Sequence, residues 1–314
     1  MALPKTKKML ISGCLLMSLI LCSCGGQSLA EREIVRGVLF ARQGAFYSAC
    51  LVLADQNAPE GTDGNKISVA QGSTPAQALA KAEQSLQGEV YYGLLDLVAL
   101  PGDADLSVVR SIGELLYQNA QPAPELSVFA LDSDSVQSWA EEGSVLYRNM
   151  KAMEKTYKIH CGLQQLFSQK DACCIPVYQS DAGYDFLLLA ENDFSVRCTG
   201  LQAQLAAVLC GHASAIRGTI ASGRIACEAR TQVLADQNKI QIHLRDTALT
   251  ALEPSVDSAS LEQALRQAFQ ESFASLRHDT EQTSADLFHF HFWQASLYGP
   301  AGSYQTPTLE VFFD

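Results

Sequence analysis

The spacing of apolar residues along this chain switches repeatedly between the period of two expected of a strand and the period of three to four expected of a helix. Residues Ile34 to Ala41 and Phe46 to Leu53 are β-runs broken at Gln43-Gly44, which predicts a hairpin. Asn57 to Gln71 is polar and glycine-bearing and reads as a loop. Thr74 then stands where a helix needs a cap, Pro75 suits the first helical position, and Ala78, Leu79, Ala82 and Leu86 lie on one stripe. An apolar strand over Leu94 to Leu100 stops at Pro101-Gly102, a helix follows over Leu106 to Asn119, and a strand over Leu126 to Leu131 comes after Pro122 and Pro124. The order ββαβαβ predicts a mixed sheet with helices on it, because parallel neighbours need helical crossovers.

Ser133 to Lys170 is helical in pattern, carries Trp139 and several charges, and reads as a bridge between two bodies. Beyond it lie strands over Ala172 to Tyr178, Tyr184 to Leu189 and Phe194 to Thr199, then a short helix over Leu201 to Leu209 ending at Gly211. Two long β-runs follow, Arg224 to Leu234 and Lys239 to Thr247, joined through Asp236-Gln237-Asn238. A helix from Ser260 to Arg277, a shorter aromatic segment and a strand over Thr308 to Phe313 complete the pattern. The expected class is α+β, with two mixed α/β bodies over residues 24–132 and 171–314 joined by a helical bridge over 133–170.

The first 23 residues follow a different logic. Lys5, Lys7 and Lys8 precede an apolar run from Met9 to Leu21, which is shorter than the roughly 18 residues that span a bilayer and closes on Leu21-Cys22-Ser23-Cys24. Leu at minus three, a small residue at minus one and then cysteine form a lipobox. A cleaved lipoprotein signal peptide over residues 1–23 and diacylation of Cys24 are therefore expected. A retained signal-anchor helix is the alternative reading, and Cys22 is a second candidate for the lipid, although Leu21 before it is bulky for a cleavage site. A single acyl chain binds membrane marginally and two bind stably, so the processed protein should remain on its membrane.

Charge narrows the partners. Three of the 22 basic residues lie in the leader and none of the 34 acidic ones does, leaving 19 basic against 34 acidic side chains and a formal charge near −15. That balance excludes a nucleic-acid partner and disfavours lying flat on an anionic leaflet. Besides Cys24, seven cysteines follow (Cys50, Cys161, Cys173, Cys174, Cys198, Cys210 and Cys227), and they read mainly as small buried hydrophobes of a protein from a reducing or anaerobic setting. Cys173 and Cys174 should alternate across a strand, which argues against a disulfide or zinc site between them.

Catalytic chemistry has few candidates. His289 and His291, in Asp286-Leu287-Phe288-His289-Phe290-His291-Phe292-Trp293, have the His-x-His spacing of a zinc ligand pair, but on a helix they point about 200° apart. The segment is read as aromatic packing. There is no Gly-x-Ser-x-Gly elbow and no phosphate-cradling glycine loop, and Glu141-Glu142 reads as a solvated helix face. His160, His212, His243 and His278 have no partner at ligand spacing along the chain. No catalytic residue, metal ligand or cofactor is assigned.

Several fragments recur in a recognisable order behind the lipobox. They are Arg32-Glu33-Ile34 at the first strand, Gly72-Ser73-Thr74 entering a helix with Ala78-Leu79, and Tyr91-Tyr92-Gly93-Leu94-Leu95-Asp96-Leu97-Val98. Leu115-Leu116-Tyr117, then Pro124-Glu125-Leu126, Ile175-Pro176, the run from Ile225, the long helix and Asp286-Leu287-Phe288 follow. In this order the chain resembles the Ger(x)C family, the lipoprotein C subunits of nutrient germinant receptors of endospore formers. Gly25-Gly26 stands where the family usually has Trp-Asp, and Leu94 where a histidine is usual. The resemblance implies a non-catalytic receptor subunit at the outer face of the spore inner membrane or cell membrane, working with integral membrane receptor subunits. The competing class is a solute-binding lipoprotein of a transport system, which needs two similar lobes around a hinge. A cell-wall hydrolase is a distant third.

Overall fold

The computed structural model describes residues 32–54, 65–120, 126–132, 139–167, 170–179, 183–220, 225–236, 238–252, 258–300, 302 and 304–314. The expected leader, Cys22 and Cys24 lie outside the described residues. The first hairpin pairs β1 (Arg32–Gln43) with β2 (Phe46–Ala54), and Gln43 faces Phe46. Gly44 turns it with φ 60°, a left-handed conformation that glycine adopts without steric cost.

The stretch read as a loop contains β3 (Asn65–Gly72), antiparallel to β2. A serine occupies a buried position in this strand: the Ser68 hydroxyl donates to the Ala82 carbonyl at 2.7 Å, so burial is achieved with a polar residue that breaks the apolar alternation. Ala82 belongs to α1 (Pro75–Gln84), where the Thr74 hydroxyl accepts the Gln77 N–H at 3.2 Å and Ala78, Leu79 and Ala82 are buried. A Cβ on Gly72 would lie 2.5 Å from the Ala78 nitrogen, so the close approach of β3 to this helix requires glycine.

Next come β4 (Glu89–Tyr91), β5 (Leu97–Pro101), α2 (Leu106–Ala120), β6 (Ser127–Leu131), α3 (Trp139–Tyr157), the single turn α4 (Leu163–Leu166) and β7 (Ala172–Tyr178). The strand expected from Leu94 begins at Leu97, because Tyr92 to Leu95 form a turn in which the Leu95 N–H donates to the Tyr92 carbonyl at 2.9 Å. Strands β1, β5, β6 and β7 run parallel, while β8 (Tyr184–Ala190) and β9 (Phe194–Cys198) continue antiparallel. The order across this sheet is β3-β2-β1-β5-β6-β7-β8-β9, with β4 pairing alongside β1.

Both faces of the sheet are covered, and the side chains alternate accordingly. Phe40, Val98, Leu100, Val128, Ile175 and Leu187 join the core beneath α1 and α2. Leu39, Leu97, Ala99, Phe129, Cys174 and Phe186 join the opposite core with Trp139, Met150 and Met153 of α3. Parallel strands buried on both faces explain why β5, β6 and β7 read as nearly unbroken apolar runs.

The remaining chain forms α5 (Gly200–Leu209), β10 (Ala215–Ile220), β11 (Ile225–Asp236), β12 (Lys239–Ala251), α6 (Ser258–Thr280), α7 (Phe290–Tyr298) and β13 (Thr308–Phe313). Strands β10-β11-β12-β13 make a second sheet, in which β12 and β13 are parallel. Leu205, Ala206, Ile216, Ile240, Ile242, Leu265 and Phe269 share the core that contains α3.

The fold is therefore mixed α/β with two sheets and, among the described residues, seven helices. The division expected at residues 132 and 171 does not separate the sheets, because β6 and β7 are parallel neighbours with Ala130 opposite Val177. The helical stretch is the crossover between them, and α3 packs against β2 and β3. Apolar spacing reports which face a residue occupies, not which sheet its strand joins. Arg197 of β9 reinforces the continuity. Its guanidinium donates twice to Asp132, just past β6, at 2.9 Å each, and once to Asp185 of β8 at 2.8 Å.

Candidate functional site

The densest candidate chemistry, Asp286 to Trp293, lies at the entry to α7. The Asp286 carboxylate accepts the Phe292 N–H at 2.9 Å, and the Asp286 carbonyl accepts the His289 N–H at 3.0 Å. An acid at a helix N-terminus binds amide groups that have no partner within the helix, so Asp286 is engaged as a cap. His289 takes a left-handed backbone, φ 58°, at the cap position, and His291 sits in the first turn. The two imidazoles line different cavities. His291 meets Tyr304 edge-on, with centroids 4.0 Å apart, at a cavity of about 240 Å³, while His289 borders one of about 170 Å³ with His212, Cys174 and Cys210. Among the described residues no group of three or more His, Cys, Asp or Glu side chains is placed to hold a metal ion.

The aromatic residues of this segment divide between core and surface. Leu287 and Phe288 are buried, and Phe290 packs against Phe288 and Phe273 of α6. Gln294 is buried and bonds both backbone groups of Gln305: its amide donates to the Gln305 carbonyl at 2.5 Å, and its carbonyl accepts the Gln305 N–H at 2.9 Å. Phe292 is 73% exposed, and Leu297, Tyr298 and Tyr304 are about half exposed. The entry to α7 thus fixes the helix through polar bonds and leaves apolar side chains facing outward.

A second polar cluster was not legible from spacing. Glu154 of α3 accepts from Ser127, from Lys151 at 2.5 Å and from His160 at 3.0 Å. Burial pushes the Glu154 carboxyl up, but the hydrogen bonds from Lys151, Ser127 and His160 together outweigh it and hold the group below the usual carboxylate range. Ser127 is 1% exposed, so its hydroxyl cannot meet a substrate carbonyl, and the cluster fastens α3 to the start of β6. Arg36, Asp96 and Tyr147 form a similar fastening, with Arg36 to Asp96 at 2.6 Å and the Tyr147 hydroxyl to Asp96 at 2.8 Å. A Cβ on Gly37 would lie 2.8 Å from the Tyr147 ring, so glycine lets that ring lie against β1.

The histidines without partners in sequence have them in space. His243 contacts Asp314 at 2.7 Å, His278 contacts Glu281 at 3.6 Å, and the His212 Nδ1 donates to the His160 carbonyl at 3.2 Å. Burial lowers the His212 pKa from 6.5 to about 4; the hydrogen bond to the His160 carbonyl opposes this, and charge repulsion from His160 and His289 adds a little to the lowering. A depressed histidine pKa gives stability that is complete above the unfolded-state value, falls as the unfolded chain takes the proton, and levels off below the folded-state value. Acidification from pH 7 to pH 4 should therefore cost up to about 3 kcal/mol through His212 alone. In urea unfolding across that range, His212→Gln should lose correspondingly less stability than wild type. Parallel pH curves for the two proteins would show that His212 titrates normally.

No family model and no curated protein matches the chain. Among solved structures it is similar to the crystal structure of the GerBC protein, at 12% sequence identity and a TM-score of 0.41, with 88% of this chain and 96% of that chain covered.

Proposed function

We propose that this chain is a Ger(x)C-type lipoprotein, anchored through a diacylated Cys24, that serves as a non-catalytic subunit of a nutrient germinant receptor together with integral membrane subunits. The observation that carries the reading is the ordered set of family-like fragments behind the lipobox, from Arg32-Glu33-Ile34 to Asp286-Leu287-Phe288. Their positions agree with elements that the fold needs: Arg32 opens β1, Thr74 caps α1 and Asp286 caps the entry to α7. Among the described residues no helix is long and apolar enough to cross a membrane, which agrees with attachment through a lipid. The candidate chemical groups at Asp286 and Glu154 are engaged in holding structure, which favours association over turnover. A solute-binding clamp is less favoured, because the large sheet runs through both halves of the chain where two hinged lobes would be separate.

Deleting the codons for residues 24–314 in the native host should abolish or slow germination with at least one nutrient while growth and sporulation continue. Spores of the deletion strain that germinate at the parental rate with every nutrient, in a background lacking paralogous receptors, would remove the receptor role.

A further inference from the structure

Strand β7 and the C-terminal cap of α5 bring two thiols to one oxygen. Cys174 Sγ lies 3.9 Å and Cys210 Sγ 3.7 Å from the Leu287 carbonyl, so the two thiols converge on one oxygen. The neighbouring Cys173 belongs to the core on the opposite face of the sheet and, although it too borders the cavity described next, does not bond the Leu287 carbonyl. Cys210 is half-buried and Cys174 is 8% exposed, and both border the cavity of about 170 Å³ that His212 and His289 also line. Cys210 is therefore the more accessible thiol, and Cys174 borders the same cavity.

We propose that Cys174 and Cys210 are a reversible redox pair, oxidised to an intramolecular disulfide by a small-molecule disulfide or a thiol-disulfide exchange protein. The Cys210 thiolate attacks one sulfur of the oxidant, the oxidant's S–S bond breaks, and one thiol leaves. The Cys174 thiolate then attacks the Cys210 sulfur of the mixed disulfide, and the second thiol leaves. Two S–H bonds are lost and one S–S bond forms in the protein, the two protons pass through solvent to the departing thiols, and the oxidant takes the two electrons. Oxidation also strips the Leu287 carbonyl of both S–H donors at the entry to α7. Cys210 is the more exposed of the two, which makes it the first thiol a reagent meets, while the nearby Cys210 thiol and burial together hold the Cys174 thiol above its usual range. The inference rests on the thiol geometry alone and is independent of the receptor reading.

The test uses the purified full chain, reduced, desalted and incubated folded with oxidised glutathione, then alkylated, digested and mapped by mass spectrometry. The expected product is one dominant cross-link between the peptides carrying Cys174 and Cys210, two hydrogens lighter than the reduced pair and reversed by dithiothreitol. It should persist in Cys173→Ala and vanish in Cys210→Ser, and the wild-type map decides the matter if that variant does not fold. A stable glutathione adduct on Cys210, full alkylation of both thiols after incubation, or a different dominant pair would overturn the proposal.

Discussion

Trp139→Ala is expected to lower the unfolding free energy by about 3–5 kcal/mol, the cost of truncating a large buried aromatic whose cavity only partly collapses. That is a large share of the roughly 5–15 kcal/mol that stabilises a typical domain. Trp139 begins α3, has no exposed surface, and is the largest fully buried side chain among the described residues. It shares a core with Leu39, Leu97 and Phe129 of the large sheet, as well as Ile242 and Phe269 beyond it. A helix that merely bridged two bodies would present its tryptophan to fewer elements and tolerate its loss. The indole Nε1 has no hydrogen-bond partner among the described residues, so Trp139→Phe removes volume without stranding a partner and should cost distinctly less. Guanidinium unfolding followed by circular dichroism separates the two variants. An alanine variant within about 1 kcal/mol of wild type would mean that α3 is not built into the shared core, since typical substitutions away from such features fall within that range.

What the sequence disclosed follows from what periodicity can encode. The β1–β2 hairpin, the Thr74-Pro75 helix start, α2, α5, α6 and β13 combine a clear period with turn or cap residues, and each lies within a few residues of its expected bounds. Strand β3 escaped notice because Ser68 is buried, satisfied by the Ala82 carbonyl. Strand β10 escaped because Gly218 interrupts a six-residue edge strand. The Gln204 side chain bonds both the N–H and the carbonyl of Arg217 on that edge, at 2.8 Å and 3.0 Å, a protection that no local pattern announces.

Tertiary proximity accounts for the rest of what was hidden. The alternation of Cys173 and Cys174 was readable from a strand's period of two, and the two residues do belong to opposite cores. The convergence of Cys174 and Cys210 on the Leu287 carbonyl was not, since it depends on how α5 lies against β8 and β9 and where its C-terminal cap falls. The same holds for Glu154 with His160, where the six-residue spacing places no side chains together until the chain turns after α3. Joining β6 to β7 likewise requires knowing that the helical stretch returns to the sheet it left. Local pattern fixes faces, and the long-range pairing of those faces decides the sheet.

Cys24→Ala should abolish incorporation of labelled fatty acid and leave a precursor that retains the leader. The expectation follows from the chemistry of the lipobox: Cys24 supplies the only sulfur at the cleavage junction Ser23-Cys24, and without an acylated thiol the junction has no lipid-modified cysteine for the processing step. The energetic consequence is large, because each buried methylene contributes about 0.8 kcal/mol and two acyl chains separate a stable anchor from a marginal one. The unprocessed run from Met9 to Leu21 is shorter than the roughly 18 residues of a spanning helix, so it holds the precursor less firmly than the lipid holds the processed form. The net negative charge of the body adds no compensating attraction to an anionic leaflet. Labelling with a radioactive fatty acid, immunoprecipitation and intact-mass measurement read both outcomes, and Cys22→Ala is the matched control, expected to be labelled and processed as the wild type is. Label that persists in Cys24→Ala and disappears in Cys22→Ala would move the anchor to Cys22, and label that persists in both would remove the lipobox as its origin.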